Sequence, residues 1–305
     1  MNLTQEIKDL ARQSGLDYVG IAPVDRFINA PEGHKPTDLL PGARSVVSMS
    51  IKLSKGSLLT MIRGFVHREL RHTSFAYRFF GYGLLNMFFM DRTAFLVAQL
   101  LEKEGHIALP IAASGVGSSR DYVAQFSNRH AAVAAGIGEF GWIGLCLTPQ
   151  NGPRQRFVSV ITTADLDPDP MYSGPKLCDV EKCKALGQGT PLCIKYCPMH
   201  AYSRKKTKEV VIGGVRMEYA DLNFHACASV HNHIVDTDHV KDTYADDGRN
   251  PLFELEAKYE LERQVYRRGH GCAGCLFVCP VGLPKEIGEL VDRELKPDLS
   301  RRFKV

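Results

Sequence analysis

Nine cysteines in 305 residues, most of them in two short runs that each end in Cys-Pro, constrain this chain more than any other feature. The first run is Cys178-x4-Cys183-x9-Cys193-x3-Cys197-Pro198, and the second is Cys272-x2-Cys275-x3-Cys279-Pro280. Cys227 stands alone between them, and Cys146 lies well upstream. An odd number of cysteines suits disulfides poorly, and close spacing before proline suits metal ligation, because thiolates must converge on one small volume. A closed tetrahedral zinc site is the alternative use of four such thiols.

Three closely spaced cysteines followed by a Cys-Pro form a bacterial-type ferredoxin run, in which the fourth thiolate crosses to the other cluster. Eight thiolates make two full sets. The crossing rule groups Cys178, Cys183, Cys193 and Cys279 on one 4Fe–4S cluster, and Cys197, Cys227, Cys272 and Cys275 on the other. The first run departs from the usual spacing, so Cys183 and Cys193 are its least regular members. Cys146, in WIGLCLTP, has no metal-type neighbour and reads as a small buried apolar residue. The histidines of HACASVHNHIVDTDH (225–239) read as outer hydrogen-bonding groups or surface, not as a separate metal site.

The rest of the composition is that of an ordinary globular protein: 44% hydrophobic, 24% charged and a formal net charge of +4. That charge is too mild and too dispersed to argue for nucleic acid. No run approaches the ~20 uninterrupted apolar residues that span a bilayer, and the start of the chain reads as an amphipathic helix. The expectation is a cytoplasmic, oxygen-sensitive protein with no membrane partner and no nucleic-acid partner.

Apolar periodicity predicts helix over 3–14, strands at 16–24, 45–53 and 107–114, and two more strands in WIGLCLTP and RFVSVITTA. Between Arg71 and Gly105 the chain reads as a long helix whose crowded, aromatic-rich apolar face, Tyr77, Phe79, Phe80, Tyr82, Leu85, Phe88, Phe89, Phe95, Leu96 and Leu100, packs in the core. The predicted fold class is an α/β (α+β) sheet domain over 1–168, followed by a ferredoxin-like domain over 169–305 that carries both clusters. The boundary falls in the proline-rich DLDPDPMYSGP.

The ordered set LLPGARSVV (39–47), AAGIGEFGWIGLCLTPQNGPRQRFVSVITTADL (134–166), the two Cys runs and the isolated Cys227 resembles the cobalamin-dependent iron–sulfur reductases, meaning epoxyqueuosine reductases and reductive dehalogenases. The resemblance spans nearly the whole chain. It implies a base-off cobalamin in the first half, reduced by the clusters of the second. It further implies that Gly141, Trp142, Ile143, Gly144, Gly152, Arg154 and Arg156 face the corrinoid, glycine allowing close backbone approach to a flat macrocycle. Asp121 matches the proton-donating aspartate of epoxyqueuosine reductases, and a one-residue slip puts Tyr122 there, as in the dehalogenases.

Two departures concern the substrate. The helical repeats with which epoxyqueuosine reductases hold tRNA are not seen after the last run, and that run reads Cys279-Pro280-Val281-Gly282 where those enzymes read Cys-Pro-Trp-Asn. The export leader of respiratory dehalogenases is not seen either. The expected activity is reductive removal of oxygen or halogen from a small organic substrate, with ferredoxin or flavodoxin as electron donor. The alternatives are an electron carrier that reduces the corrinoid of a partner methyltransferase, and epoxyqueuosine reduction itself.

Overall fold

The computed structural model describes residues 2–66, 76–77, 79–114, 124–197, 200–224, 226–227 and 274–295. Its centre is a four-stranded antiparallel sheet of β1 (Tyr18–Pro23), β2 (Ser45–Lys52), β3 (Ala108–Ile111) and β6 (Gln155–Thr162), in the order β1-β2-β6-β3. The register pairs Ile21 with Val47 and Met49 with Val158. Two further strands, β4 (Glu139–Phe140) and β5 (Cys146–Leu147), make a two-residue pair of their own. The strand expected in WIGLCLTP is thus reduced to Cys146–Leu147, since the glycines before it turn the chain sharply. The fold is mixed α and β with antiparallel sheets.

Both faces of the sheet are covered. Alternation sends Val47, Met49, Ile51, Val158 and Val160 into one apolar cluster, and Val46, Phe157 and Ile161 into the other. The helices Leu3–Gln13, Lys55–Val66 and Arg92–Lys103 cover the first face, and Asn128–Ala134 covers the second. Asn2 caps the first helix by accepting the Thr4 N–H at 2.7 Å. The segment DLDPDP, expected to be extended, runs back along β1, where Asp169 accepts the Ile21 N–H at 2.8 Å and pairs with Lys8 at 2.7 Å.

The aromatic stripe does not pack as expected. The chain winds as a π-helix over Phe79–Gly83 and again over Leu85–Asp91, so the inward residues follow steps of four and five: Tyr77, Gly81, Leu85, Asn86, Met90. At that pitch Phe79, Phe80, Phe88 and Phe89 fall on the outer side, Phe88 at 64% exposure, with Phe95 also exposed. The helical run Phe79–Lys103 has a mean hydropathy of 1.3 and is long and apolar enough, by length and composition, to cross a membrane. Its inner side, with Thr93, Ala94, Val97 and Leu101, packs on the protein core.

Beyond the proline-rich segment come short helices at Val180–Leu186, Leu192–Lys195, Gly274–Val278 and Lys285–Leu290, and a long hairpin of β7 (Tyr202–Ile212) and β8 (Val215–Leu222). These elements complete the core of the sheet domain. Phe277, Ile287 and Leu290 join the first cluster, and Ile212 joins the second. The boundary drawn at 168/169 does not divide the core.

Candidate metal centre

Local structure places the cysteines. Asp179 caps the helix Val180–Leu186 by accepting the Lys182 N–H at 2.9 Å, which sets Cys178 just before that helix and Cys183 within it. Cys193 lies in Leu192–Lys195 and Cys197 just past it. Cys275 lies in Gly274–Val278, and Cys279 directly follows. Cys227 comes after β8. Cys272 is outside the described residues, as are Asp121, Tyr122 and nearly all of 225–239.

Cys178, Cys183, Cys193, Cys275 and Cys279 line one cavity of about 330 Å³, closed on the sheet-domain side by Gly141, Trp142 and Ile143. The thiols sense one another. Burial pushes the Cys193 thiol well up, and Cys279, Cys178 and Cys183 push it further. Cys279 is pushed up to about 11, by burial first, with Cys178 and Cys183 adding to it and Arg154 opposing. A second neighbourhood forms around the buried Tyr202, whose hydroxyl is raised by burial and then by Cys227, Cys275 and Cys197. Cys227 is pushed up to about 12 by burial and by Cys197. Crowded thiols of this kind resist ionising until a cation shares their volume, since thiolates are the ligating form. Among the described residues no three His, Cys, Asp or Glu side chains stand close enough to hold a single metal ion.

The sheet domain grips this site. Glu139 of β4 accepts the backbone N–H groups of Leu177 at 2.5 Å and Cys178 at 3.3 Å. The Trp142 N–H donates to the Cys178 Sγ at 3.3 Å, and the Ala201 N–H to the Cys197 Sγ at 3.4 Å. Arg154 donates to the carbonyls of Leu276 at 2.6 Å, Cys279 at 2.9 Å, and Val281. Sequence reasoning passed over Glu139 and Tyr202. Glu139 sits inside the quoted GEFG, and an acid amid glycines with no nearby base was the available signal. Tyr202 gave none. Cys146 is buried, and burial holds its thiol far above the usual range.

The residues expected to face a corrinoid have other neighbours here. Gly152 takes φ +54°, and a Cβ there would collide with the Val281 carbonyl; Gly144 takes φ +65° with the Tyr219 ring 3.2 Å from a Cβ position. Close approach is indeed why glycine stands at both, but the approach is to the chain itself. Arg156 donates to the Gly81 carbonyl at 3.2 Å and the Tyr77 hydroxyl at 2.8 Å, and lies 4.7 Å from the Tyr82 ring centroid. These contacts tie Gly144, Gly152 and Arg156 to the chain itself, while Gly141, Trp142 and Ile143 line the cysteine cavity.

No family model matches the chain. By sequence it is 27% identical over 228 residues to a tetrachloroethene reductive dehalogenase of Sulfurospirillum multivorans, covering 66% of this chain and 40% of that protein. It is 32% identical over 123 residues to the enzyme of the same name from Desulfitobacterium hafniense, covering 40% of this chain and 19% of that one. The chain therefore spans less than half the length of the curated relatives it matches. Among solved structures, a catabolic reductive dehalogenase superposes with a TM-score of 0.51 at 18% identity, over 88% of this chain and 37% of that one. An epoxyqueuosine reductase superposes at 0.50 and 19% identity, over 92% and 66%. The fold is of the kind seen in these reductases. The resemblance to the cobalamin-dependent iron–sulfur reductases, read from the motifs, is shown in sequence by the dehalogenases and in fold by both groups.

Proposed function

We propose that this chain is an oxidoreductase that holds two 4Fe–4S clusters and passes low-potential electrons through them to a cobalamin, for reductive removal of halogen or oxygen from a small organic substrate. The observation that carries the cluster part is the meeting of thiols from both Cys runs on one cavity. Cys178, Cys183, Cys193 and Cys279 form one set. Cys197, Cys227, Cys272 and Cys275 form the other. The spread of the thiols around a cavity suits a bulky cubane better than one zinc ion, whose four bonds are about 2.3 Å long.

The cobalamin rests on the resemblance. A bound corrinoid supplies a strongly reducing metal; the chain's task is to deliver electrons, exclude water and supply a proton, for which Asp121 and Tyr122 are the proposed donors. Ferredoxin or flavodoxin is the proposed donor of electrons, and the cytoplasm the proposed compartment. The self-packing of Gly152 and Arg154 favours a second reading, in which the chain reduces the corrinoid of a separate protein and binds none itself.

Anaerobic purification after cluster reconstitution, with cobalamin added, tests both. About eight irons per chain with a base-off cobalt(II) signal supports the reductase, and substrate trials then divide halogenated compounds from epoxyqueuosine in tRNA. Eight irons with no retained cobalamin supports the carrier. A colourless protein without iron overturns the proposal.

A further inference from the structure

Arg154 is the only charged side chain among the described residues that is buried, at 2% exposure. Burying a guanidinium is costly unless an opposite charge accompanies it. Yet no carboxylate among the described residues pairs with it. Its Nη atoms donate to the Leu276, Cys279 and Val281 carbonyls, and among the described residues its Nε has no partner. The carbonyls satisfy donors without cancelling charge. Among the described residues, the proposed cluster ligand that it touches is Cys279, through the Cys279 carbonyl at 2.9 Å. A guanidinium is not deprotonated in proteins, so the buried group keeps its charge.

We infer that Arg154 is the buried counter-cation of the iron–sulfur cluster that Cys279 joins, and that it ties occupancy of that cluster to docking of the second Cys run on the sheet domain. The inference rests on the cluster reading above. A cubane bound by four thiolates is net negative and gains one further negative charge on reduction. A fixed cation at its edge therefore favours the reduced form and raises the potential, while the three carbonyl contacts fix where the Cys279 loop lies. Arg154 follows Gly152 by two residues, so the turn that the glycine permits delivers the guanidinium to the loop. Its place is that of a positioning residue, acting through Cys279.

The test compares wild type, Arg154→Gln and Arg154→Lys, each reconstituted, in dithionite titrations followed by EPR. For Arg154→Gln the reduced-to-oxidised ratio of one cluster is expected to fall about tenfold at a fixed potential, equivalent to about 59 mV for one electron. The other cluster serves as internal reference and is expected not to move. Arg154→Lys, which keeps the charge, is expected to stay within threefold of wild type. Equal potentials in wild type and Arg154→Gln overturn the inference, whereas a wild type without iron overturns the cluster reading instead. Wild type stripped of iron by a chelator gives a measurement that needs no variant to fold. Amide exchange in 146–156 and 274–281 is expected to quicken together on stripping, and unchanged exchange in 146–156 overturns the linkage.

Discussion

Glu139 accepts the backbone N–H of Cys178 at 3.3 Å, so a two-residue strand of the sheet domain fixes the start of the first Cys run. The same carboxylate takes the Leu177 N–H at 2.5 Å. Hydrogen bonds to a charged acceptor contribute about 1.5–3 kcal/mol each. Glu139→Gln keeps the shape and loses the charge. Its iron-free form is expected to lose about 2 kcal/mol in urea unfolding, with slower iron uptake on reconstitution. An unchanged urea midpoint would remove Glu139 from this role.

The cysteines divide by function. Cys279→Ser is expected to lose about half of the iron, one cluster of two, while Cys146→Ala retains all of it because Cys146 is buried in the second core cluster, paired with Phe140 across the β4–β5 strands. Iron and sulfide assays on the two variants read this directly. Equal iron in both would break the assignment of Cys279.

His130 gives the fold an acid limit. It packs 4.8 Å from the Phe140 ring and bonds Ser127 Oγ through Nδ1 at 2.6 Å. Burial, reinforced by Arg129, lowers its pKa to about 4. The unfolded histidine titrates near 6.5, so below that pH the unfolded state takes up a proton that the folded state refuses. Stability is expected to be complete above about pH 6.5 and to fall by roughly 3 kcal/mol on the way to pH 4. Urea midpoints against pH read the slope, and His130→Asn should flatten it.

Gly152→Ala meets both a left-handed backbone and the Val281 carbonyl. Strain at such a residue costs on the order of 1–3 kcal/mol, and here it is relieved by parting the Cys279 loop from the sheet domain. A lower Tm together with faster proteolysis near residue 281 is the expected outcome. Gly15→Ala, at φ +89° with open space around it, controls for backbone strain alone. Matching losses in the two variants would mean that the loop contact contributes nothing.

Much of this was legible before any coordinates. β1, β2, β3 and β6 lie within the apolar runs that predicted them, and the central β2 and β6 bury residues on both sides. The Cys-Pro runs pointed by their spacing to converging thiols, and Cys178, Cys183, Cys193, Cys275 and Cys279 do line one cavity. The outward Phe79, Phe80, Phe88 and Phe89 were not legible, since a π-helical pitch breaks the 3.6-residue period on which a helical stripe is read. Arg154 and Glu139 were missed as clamps because their partners lie 122 and 38 residues away. Nothing local in a sequence records a contact made over such distances.

The shared core also has a consequence for how the chain is made. When β6 has left the ribosome, neither face of the sheet is yet sealed: Ile212 is still to come on one side, and Phe277, Ile287 and Leu290 on the other. At about 5–20 residues per second, the nascent sheet waits several seconds with oily patches open to water. Early chaperone capture, and aggregation of prematurely terminated chains, are built into that order of synthesis.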